Sequence, residues 1–456
     1  MRGLFFFMVF VASLPLIFVS PFNGVIAWYI FSLGNFHTLI WGGPFAGLNY
    51  AYIIAILTCV SWALSRSEKK QVPMTRLVIM VLLFSIWITI TSCFALAPGD
   101  LVWGKWLETE KILIMALVCY ALTTTRDRLN QLIWAVVIAL GFWGVKGAIL
   151  SLLHGGGMIH GPDQGRNADN NHFAVALILI VPLLLYRWQL AADRRVRWAL
   201  MAMTVLVTLA IVFTYSRAGL LGLSAVGMVF WLRSRAKMPA ALVLLVIGSC
   251  IYAFAPQAWF NRMGTIETYD DDGSAQARLT MWQQSLGIAA SRPVTGGGFN
   301  ITLWPSAVNP LLRGTTIPKL TLARATHSSY FEVLSEHGYV GLVLFLLIGI
   351  YAWSNCSWLL RHARERPDLA WANLLGRMGQ AALVGYWVGG AFSSLAYLDE
   401  YWAILFMFDA ARRIVAQEIS PPDAVLAMRL RPARFGIHAN EIARPVEPPT
   451  SIKGPS

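Results

Sequence analysis

The polar stretch around His327 holds the residues best suited to chemistry. His327-Ser328-Ser329-Tyr330 ends a long polar segment set between apolar runs, and Glu336-His337-Gly338 follows closely. A free imidazole has a pKa of about 6.5 and can accept a proton at neutral pH. We therefore predict that His327 is a general base. His337 is a secondary candidate, because ten residues of helix would place it about 15 Å from His327, too far to act on the same atom.

Cations form a second set of candidates. Arg217 lies in a tight turn between Ser216 and Gly219, and Lys146 lies within an apolar run. A charge inside the membrane is costly unless it faces a cavity or a partner. An isolated arginine at a helix end is often a membrane anchor, but guanidinium groups also bind phosphate through two parallel hydrogen bonds. We predict that a phosphate or diphosphate is bound by these side chains: Arg217, Arg278, Arg166, Lys105 and Lys146.

These residues belong to a strongly apolar chain. Of its 456 residues, 57% are hydrophobic and 13% are charged, about half the charge of a soluble protein. Apolar runs of about 17–20 residues recur, each long enough to cross the hydrocarbon layer. Backbone groups in lipid must bond within their own segment, so these runs are helices. We predict an all-α, polytopic integral membrane protein with about twelve transmembrane helices.

The loops between the runs predict the orientation of the chain. Its net charge of +13 lies mostly in short loops, which indicates membrane orientation and no nucleic-acid partner. Residues 3–35 could be two spans, but parity with Arg2 inside favours one broken crossing. The other candidate spans are 47–64, 77–95, 108–123, 130–152, 171–188, 197–214, 217–232, 238–254, 339–355, 376–396 and 400–413. The basic loops 65–76, 124–129, 187–197, 233–238 and 356–375 then face the cytoplasm, and the opposite side receives 96–107, 153–170, 215–217 and 255–326.

The long loop sets the predicted domain organisation. We expect a transmembrane region over 1–254, a large periplasmic loop over 255–326, an amphipathic segment with the last spans over 327–414, and a disordered cytoplasmic tail over 415–456. Helical spacing over Gln276–Ala290 and several aromatic side chains indicate that the loop is ordered. Asp270–Asp272 reads as a solvated turn in preference to a metal site.

Several catalytic signatures are missing from the sequence. It contains no P-loop, no G-x-G-x-x-G after a strand, no H-E-x-x-H and no G-x-S-x-G. Their absence argues against an ATP-driven pump, a dinucleotide enzyme, a zinc protease and a serine hydrolase. The five cysteines show no paired spacing, and the histidines no metal-ligand spacing. We expect no metal and no other cofactor.

Three segments occur in an order that is typical of one enzyme family. The first is Thr214–Leu221, in which Arg217 precedes Leu221 by four residues. The last is His327-Ser328, followed after nine residues by Gly338-Tyr339-Val340-Gly341. Between them lie Arg278-Leu-Thr-Met-Trp282 and Arg292–Asn300. Together, over roughly residues 160–345, they resemble the signatures of the O-antigen ligase and polymerase family.

The resemblance implies a glycosyltransferase of the bacterial inner membrane. Such an enzyme moves a preassembled glycan from undecaprenyl diphosphate to an acceptor on the periplasmic face, without metal or nucleotide and with inversion at the anomeric carbon. His327 matches the essential histidine of the family, and Arg217 and Arg278 match its donor-binding arginines. Ser328 stands where asparagine is common. The implied partners are the undecaprenyl diphosphate-linked glycan, a lipid A–core acceptor and membrane lipids.

Four alternatives remain open on the sequence. A polymerase that joins glycan repeats and a protein O-oligosaccharyltransferase share the chemistry and differ in the acceptor. A lipid or solute transporter would use Lys146 and the arginines to line a path, and predicts internal repeats, which are not evident. A purely structural scaffold leaves the outer cations unexplained.

Overall fold

Every regular element that the structure describes is a helix. The computed structural model describes residues 2–36, 48–68, 70–163, 165, 167–254, 257, 259–260 and 273–420. The predicted site residue Arg166, the predicted turn Asp270–Asp272 and the tail from residue 421 onward lie outside these ranges. The α-helices are α1 (Arg2–Val19), α2 (Pro21–Gly34), α3 (Tyr50–Leu64), α4 (Arg76–Cys93), α5 (Gly99–Leu122), α6 (Arg126–Leu153), α7 (Asn170–Leu190), α8 (Arg194–Phe213), α9 (Arg217–Arg233), α10 (Lys237–Phe254), α11 (Gly273–Ser291), α12 (Pro305–Leu311), α13 (Ser329–His362), α14 (Ala370–Gly390) and α15 (Asp399–Ile419).

Five of the described helices are long and apolar enough to cross a membrane: α4, α6, α7, α8 and α13. Large apolar side chains on these helices are exposed, including Leu153 at 74% and Ile350 at 56%. Such surfaces are unfavourable in water and favourable against lipid tails. The chain is therefore an all-helical, multi-pass membrane protein. The count of about twelve spans goes beyond these five and stays a prediction.

The N-terminal region differs from its prediction. α1 and α2 meet at Ser20, with Pro21 at the first position of α2. Phe10 and Phe31 lie at similar distances on either side of Ser20, yet their ring centroids are 5.9 Å apart. They can touch only if the two helices run antiparallel. The prediction of one broken crossing over residues 3–35 is therefore wrong, because a proline that suits the first turn of a helix starts a second helix that folds back on the first.

α7 is the most deeply buried of the five apolar helices. Of the 18-residue apolar stretch of α7, 72% is buried. The helix packs against α8, α9 and α14. Glycines allow this close packing: a Cβ on Gly385 of α14 would lie 2.5 Å from Ile178, and one on Gly222 of α9 would lie 2.9 Å from the Gly385 carbonyl. Small residues let membrane helices approach each other in this way. The packing fixes the N-termini of α7 and α9, and α9 begins with the predicted site residue Arg217.

α13 is broken at Gly338. This residue has φ 68° and ψ −169°, a conformation open essentially to glycine alone. The segment Arg292–Asn300, here called the strap, lies against the break. Gly297 N donates to the Ser335 carbonyl and Gly298 N donates to the Glu336 carbonyl, each over 2.8 Å. The strap thus provides hydrogen-bond donors for backbone carbonyls that would have no partner in the broken helix.

Residues 273–326 contain a small core of their own. Met281 and Ile288 on α11 pack with Ile301, Val308 and Leu312, all at most 3% exposed. This core ties α11 to the 3-10 turn Ile301–Leu303 and to α12. The helical prediction for Gln276–Ala290 is confirmed by α11, and this part of the long loop is ordered.

Different kinds of hydrogen bond occur at the two ends of the helix bundle. At the end where α4, α8 and α14 finish and α9 and α15 begin, the connecting segments pack on one another, for example through Ile159 N and the Phe213 carbonyl, 2.8 Å apart. At the other end, arginines close the helix termini: Arg413 donates to the Thr123 carbonyl over 2.6 Å. We call these the site end and the basic end. The chain to Val415 forms one compact unit, and α15 continues past the predicted boundary at residue 414.

Substitution at the break tests its importance. Gly338→Ala should lower the melting temperature, because the backbone conformation alone costs about 1–3 kcal/mol for a residue with a Cβ. That Cβ would also lie 2.4 Å from the Val294 carbonyl. Thermal unfolding in detergent measures the effect. Gly104→Ala, in α5 with nothing within 4 Å of the added carbon, should be neutral or slightly stabilising; equal melting temperatures for the two variants would contradict this account.

Candidate active site

His327 is held by anchored residues on both sides. Thr326 is buried, and its carbonyl accepts a hydrogen bond from the Trp282 indole over 3.1 Å. The Ser329 hydroxyl donates to the Ser393 carbonyl over 2.9 Å. His327 itself has φ 50°, a left-handed conformation that costs about 1–2 kcal/mol for a residue with a side chain. The neighbours therefore impose a strained conformation that projects His327 from the start of α13.

The contact to Trp282 also explains the position of Arg278. The two residues are four apart on α11 and share one face of the helix. Since Trp282 bonds to the residue preceding His327, Arg278 lies one helical turn from that contact. Trp282 is fixed in turn by stacking on Phe331, with ring centroids 5.2 Å apart and planes inclined by 17°. The predicted pair of Arg278 and His327 is brought together by one indole side chain.

Two helix N-termini meet at the same place. The Asp169 carboxylate caps α7 by accepting from Asn171 N over 2.8 Å. The Ser216 hydroxyl caps α9 by accepting from Gly219 N over 3.0 Å. Ser216 also donates to the Asn171 side-chain oxygen over 2.8 Å, which ties the caps together. Arg217 is the first residue of α9. Helix N-termini carry partial positive charge and favour anions, so Arg217 adds to an existing preference.

The electrostatic surroundings keep His327 neutral. Its side chain still contacts solvent, but partial burial lowers its pKa, and the charge of Arg278 lowers it further. His172 and Arg324 act in the same direction, whereas Asp169 raises the pKa. The balance lies below the ordinary value of 6.5. The imidazole is therefore in its basic form at neutral pH, as a general base requires.

Asp169, His172 and Arg324 were not among the predicted site residues. For Asp169 the sequence holds a usable signal, since an aspartate directly before an apolar helix is a favoured cap. Burial raises the pKa of Asp169, but the neighbouring His172 and the backbone donors of the first turn outweigh it and leave the pKa below its usual value. Asp169 therefore stays ionised near the base.

Two other predicted cations have different surroundings. The Lys105 ammonium lies 5.5 Å from the centre of the Tyr397 ring, beside the break in α13. The Lys146 ammonium lies 4.5 Å from the centre of the Trp143 ring and lines a cavity at the site end of α6. Arg278 thus acts electrostatically on His327, and Arg217 begins the helix whose cap is bonded to the start of α7. The two lysines lie over aromatic rings. The prediction for Arg166 lies outside the described residues.

His337 occupies an interior position. Its side chain is fully buried, at 0% exposure. Nδ1 lies 2.7 Å from the Thr91 hydroxyl, and Nε2 lies 2.9 Å from the Tyr397 hydroxyl. The Tyr397 hydroxyl also donates to the Glu336 carboxylate over 2.7 Å, so both ring nitrogens of His337 have hydroxyl partners. This arrangement separates His337 from any substrate and gives it a part in holding the break.

Two family models match different parts of this chain. Residues 202–346 match the family model described as O-Antigen ligase. This stretch is therefore similar to that family, and we call it the ligase-like domain. That domain includes Arg217, Arg278, His327 and the break at Gly338, which supports a glycan-processing function of the ligase and polymerase type. Residues 1–192 match a family of unknown function, DUF5935. No curated protein matches the chain.

Titration of His327 can be followed by NMR with labelled histidine, using the spectrum of His327→Asn for assignment. We expect a pKa below the ordinary value of about 6.5. Arg278→Gln removes a positive charge and should raise the pKa, so that the titration moves to higher pH. Asp169→Asn removes a negative charge and should move it to lower pH, while asparagine preserves the cap. Shifts of the same sign in both variants would contradict the arrangement described.

Proposed function

We propose that this protein is an O-antigen ligase, which transfers a preassembled glycan from undecaprenyl diphosphate to lipid A–core. The observation that carries the proposal is the position of Arg278 beside a neutral His327, within the ligase-like domain. The capped N-termini of α7 and α9 adjoin them, and α9 begins with Arg217. A base and an anion site next to each other are what transfer from a diphosphate requires.

The proposed reaction is a single displacement. An acceptor hydroxyl attacks the anomeric carbon of the donor glycan while His327 takes its proton. The bond between that carbon and the diphosphate oxygen breaks, and the electron pair leaves with undecaprenyl diphosphate. Arg278 and Arg217 offset the charge that develops on this leaving group. Attack from the face opposite the diphosphate inverts the anomeric carbon.

The predicted donor contacts of Arg166, Lys105 and Lys146 are additional to this reaction and stay predictions. The reaction as proposed needs no metal, because the diphosphate is already an activated leaving group and arginines supply the positive charge.

The distribution of basic loops supports a periplasmic site in the bacterial inner membrane. Loops rich in arginine and lysine face the cytoplasm in most membrane proteins. The loop that follows α3 and the one between α5 and α6 meet at the basic end, where Arg128 pairs with Glu68. His327 lies at the site end. If the basic end is cytoplasmic, the proposed chemistry takes place on the periplasmic side, where lipid-linked glycans are transferred.

Reconstitution tests the proposal directly. Purified full-length protein is mixed with an undecaprenyl diphosphate-linked glycan and lipid A–core in the presence of a metal chelator. We expect glycan on lipid A–core, at a rate that falls at least about 100-fold in His327→Asn because the base is lost. Asparagine accepts left-handed backbone, so the fold should be kept. The control is His362→Asn, since His362 lies at the basic end of α13, stacked on Trp358 with ring centroids 4.0 Å apart.

The products separate the proposal from its alternatives. Extension of the donor glycan in place of transfer would make the protein a polymerase, and glycan on an added acceptor protein would make it an O-oligosaccharyltransferase. Near-normal transfer by His327→Asn would show that His327 is not the general base. Loss of transfer when metal ions are chelated would show that the reaction needs a metal, and would contradict the metal-free mechanism. Absence of any product, with movement of the lipid-linked glycan across a vesicle membrane, would favour the transporter.

A further inference from the structure

A polar cavity lies at the site end, and His327 is not among its described lining residues. It has a volume of about 490 Å³ and is formed by the C-terminal half of α6 and by the segment Gly157–Asp163. This is large enough for a phosphorylated headgroup. Its walls combine apolar side chains, among them Trp143 and Ile159, with Lys146, His154 and His160.

The polar groups of the cavity suit an anion that carries sugar. Lys146 brings a positive charge, held 4.5 Å from the centre of the Trp143 ring. His154 Nδ1 lies 2.7 Å from the Leu150 carbonyl, so this nitrogen carries a proton and Nε2 faces away from the helix. Asp163 is the carboxylate among the described lining residues and is exposed at the edge. A carboxylate there can accept hydrogen bonds from sugar hydroxyls.

The surroundings of the cavity indicate a ligand with a lipid tail. Met158 in the lining is 49% exposed, and Ile149 and Leu153, next to lining residues along the chain, are exposed by 43% and 74%. In a membrane protein such side chains face lipid. Lys146 is seven residues from the end of α6, about 10 Å along the helix. A phosphate at that depth lies near the headgroup region, with its acyl chains free to remain in the membrane.

The cavity adjoins the turn that carries Arg217. Ile159 N donates to the Phe213 carbonyl over 2.8 Å, and the Tyr215 hydroxyl donates to the Gly156 carbonyl. The back of the cavity wall is therefore bonded to the turn between α8 and α9. The charged neighbours of His327, which are Arg278, Asp169, His172 and Arg324, are not among the described lining residues. Two groups of charged side chains thus lie near the same turn, one around His327 and one in the cavity.

We infer that the Lys146 cavity binds the phosphate-bearing headgroup of the acceptor glycolipid. This inference rests on the proposed function, in which two lipids react and the donor diphosphate belongs beside His327. The acceptor then needs a separate site from which a sugar hydroxyl can reach the donor. A cavity that joins lipid-facing side chains, a cation and the Arg217 turn meets that need.

Kinetics test which substrate the cavity serves. In Lys146→Gln we expect the acceptor KM to rise about tenfold, as for loss of one charge-assisted contact, with the donor KM unchanged. Lys146→Arg keeps the charge and should restore most of the acceptor affinity, which separates a charge effect from misfolding. The control is Lys111→Gln, because Lys111 also lies over an aromatic ring, 4.7 Å from the centre of Tyr52. A raised donor KM, or no change in either KM, would overturn the inference.

Binding tests the cavity without catalysis. Native mass spectrometry of the full-length protein is recorded with diphosphoryl lipid A, with the same lipid after removal of its phosphates, and with undecaprenyl phosphate. Preference for the phosphorylated glycolipid, lost in Lys146→Gln and kept in Lys111→Gln, supports the inference even if the protein transfers no glycan. In that case the proposed function fails and the site stands. A Lys146-dependent preference for undecaprenyl phosphate, or no preference at all, overturns the inference.

Discussion

The break at Gly338 is the constraint on which the site depends. Near lipid, a broken helix must find partners for its open backbone groups, and the strap provides them through Gly297 and Gly298. The strap is the direct continuation of α11, the helix of Arg278. One set of backbone contacts therefore limits where both the base-bearing start of α13 and the adjacent cation can lie. His337 strengthens this contact from the buried side through Thr91 and Tyr397.

The cations near His327 have two effects that suit the proposed mechanism. In the empty enzyme Arg278 lowers the pKa of His327, so the ring stays neutral. A bound diphosphate would offset that charge and favour the imidazolium form, because an opposite charge nearby stabilises the protonated ring. The proton affinity of the base would therefore rise when the donor arrives. The same charges that bind the leaving group thus couple the strength of the base to the presence of its substrate.

Much of this arrangement could be predicted from the sequence, for a physical reason. A helix that crosses lipid must be long and apolar, so a membrane-spanning helix such as α6 can be recognised in the sequence. The pairing of Arg278 with His327 was predicted from short sequence motifs. The rest depends on tertiary contacts. The α1–α2 hairpin was missed because Ser20-Pro21 permits either a kink or a reversal, and only packing decides between them. The burial of His337 was hidden because its partners Thr91 and Tyr397 lie far away in the sequence.

The cations of the two proposed sites fall in different family matches, although the start of α7 beside His327 belongs to the N-terminal match. Lys146 and its cavity lie in the N-terminal match, whereas Arg217, Arg278 and His327 lie in the ligase-like domain. Ligases, polymerases and protein glycosylating enzymes share donor chemistry and differ in their acceptors. A chain that keeps donor chemistry in one region and acceptor binding in another can change its acceptor without disturbing the base. The two matched regions are bonded to each other where Ser216 donates to Asn171, and the Lys146 cavity is bonded to the turn before Arg217 through Ile159 and the Phe213 carbonyl.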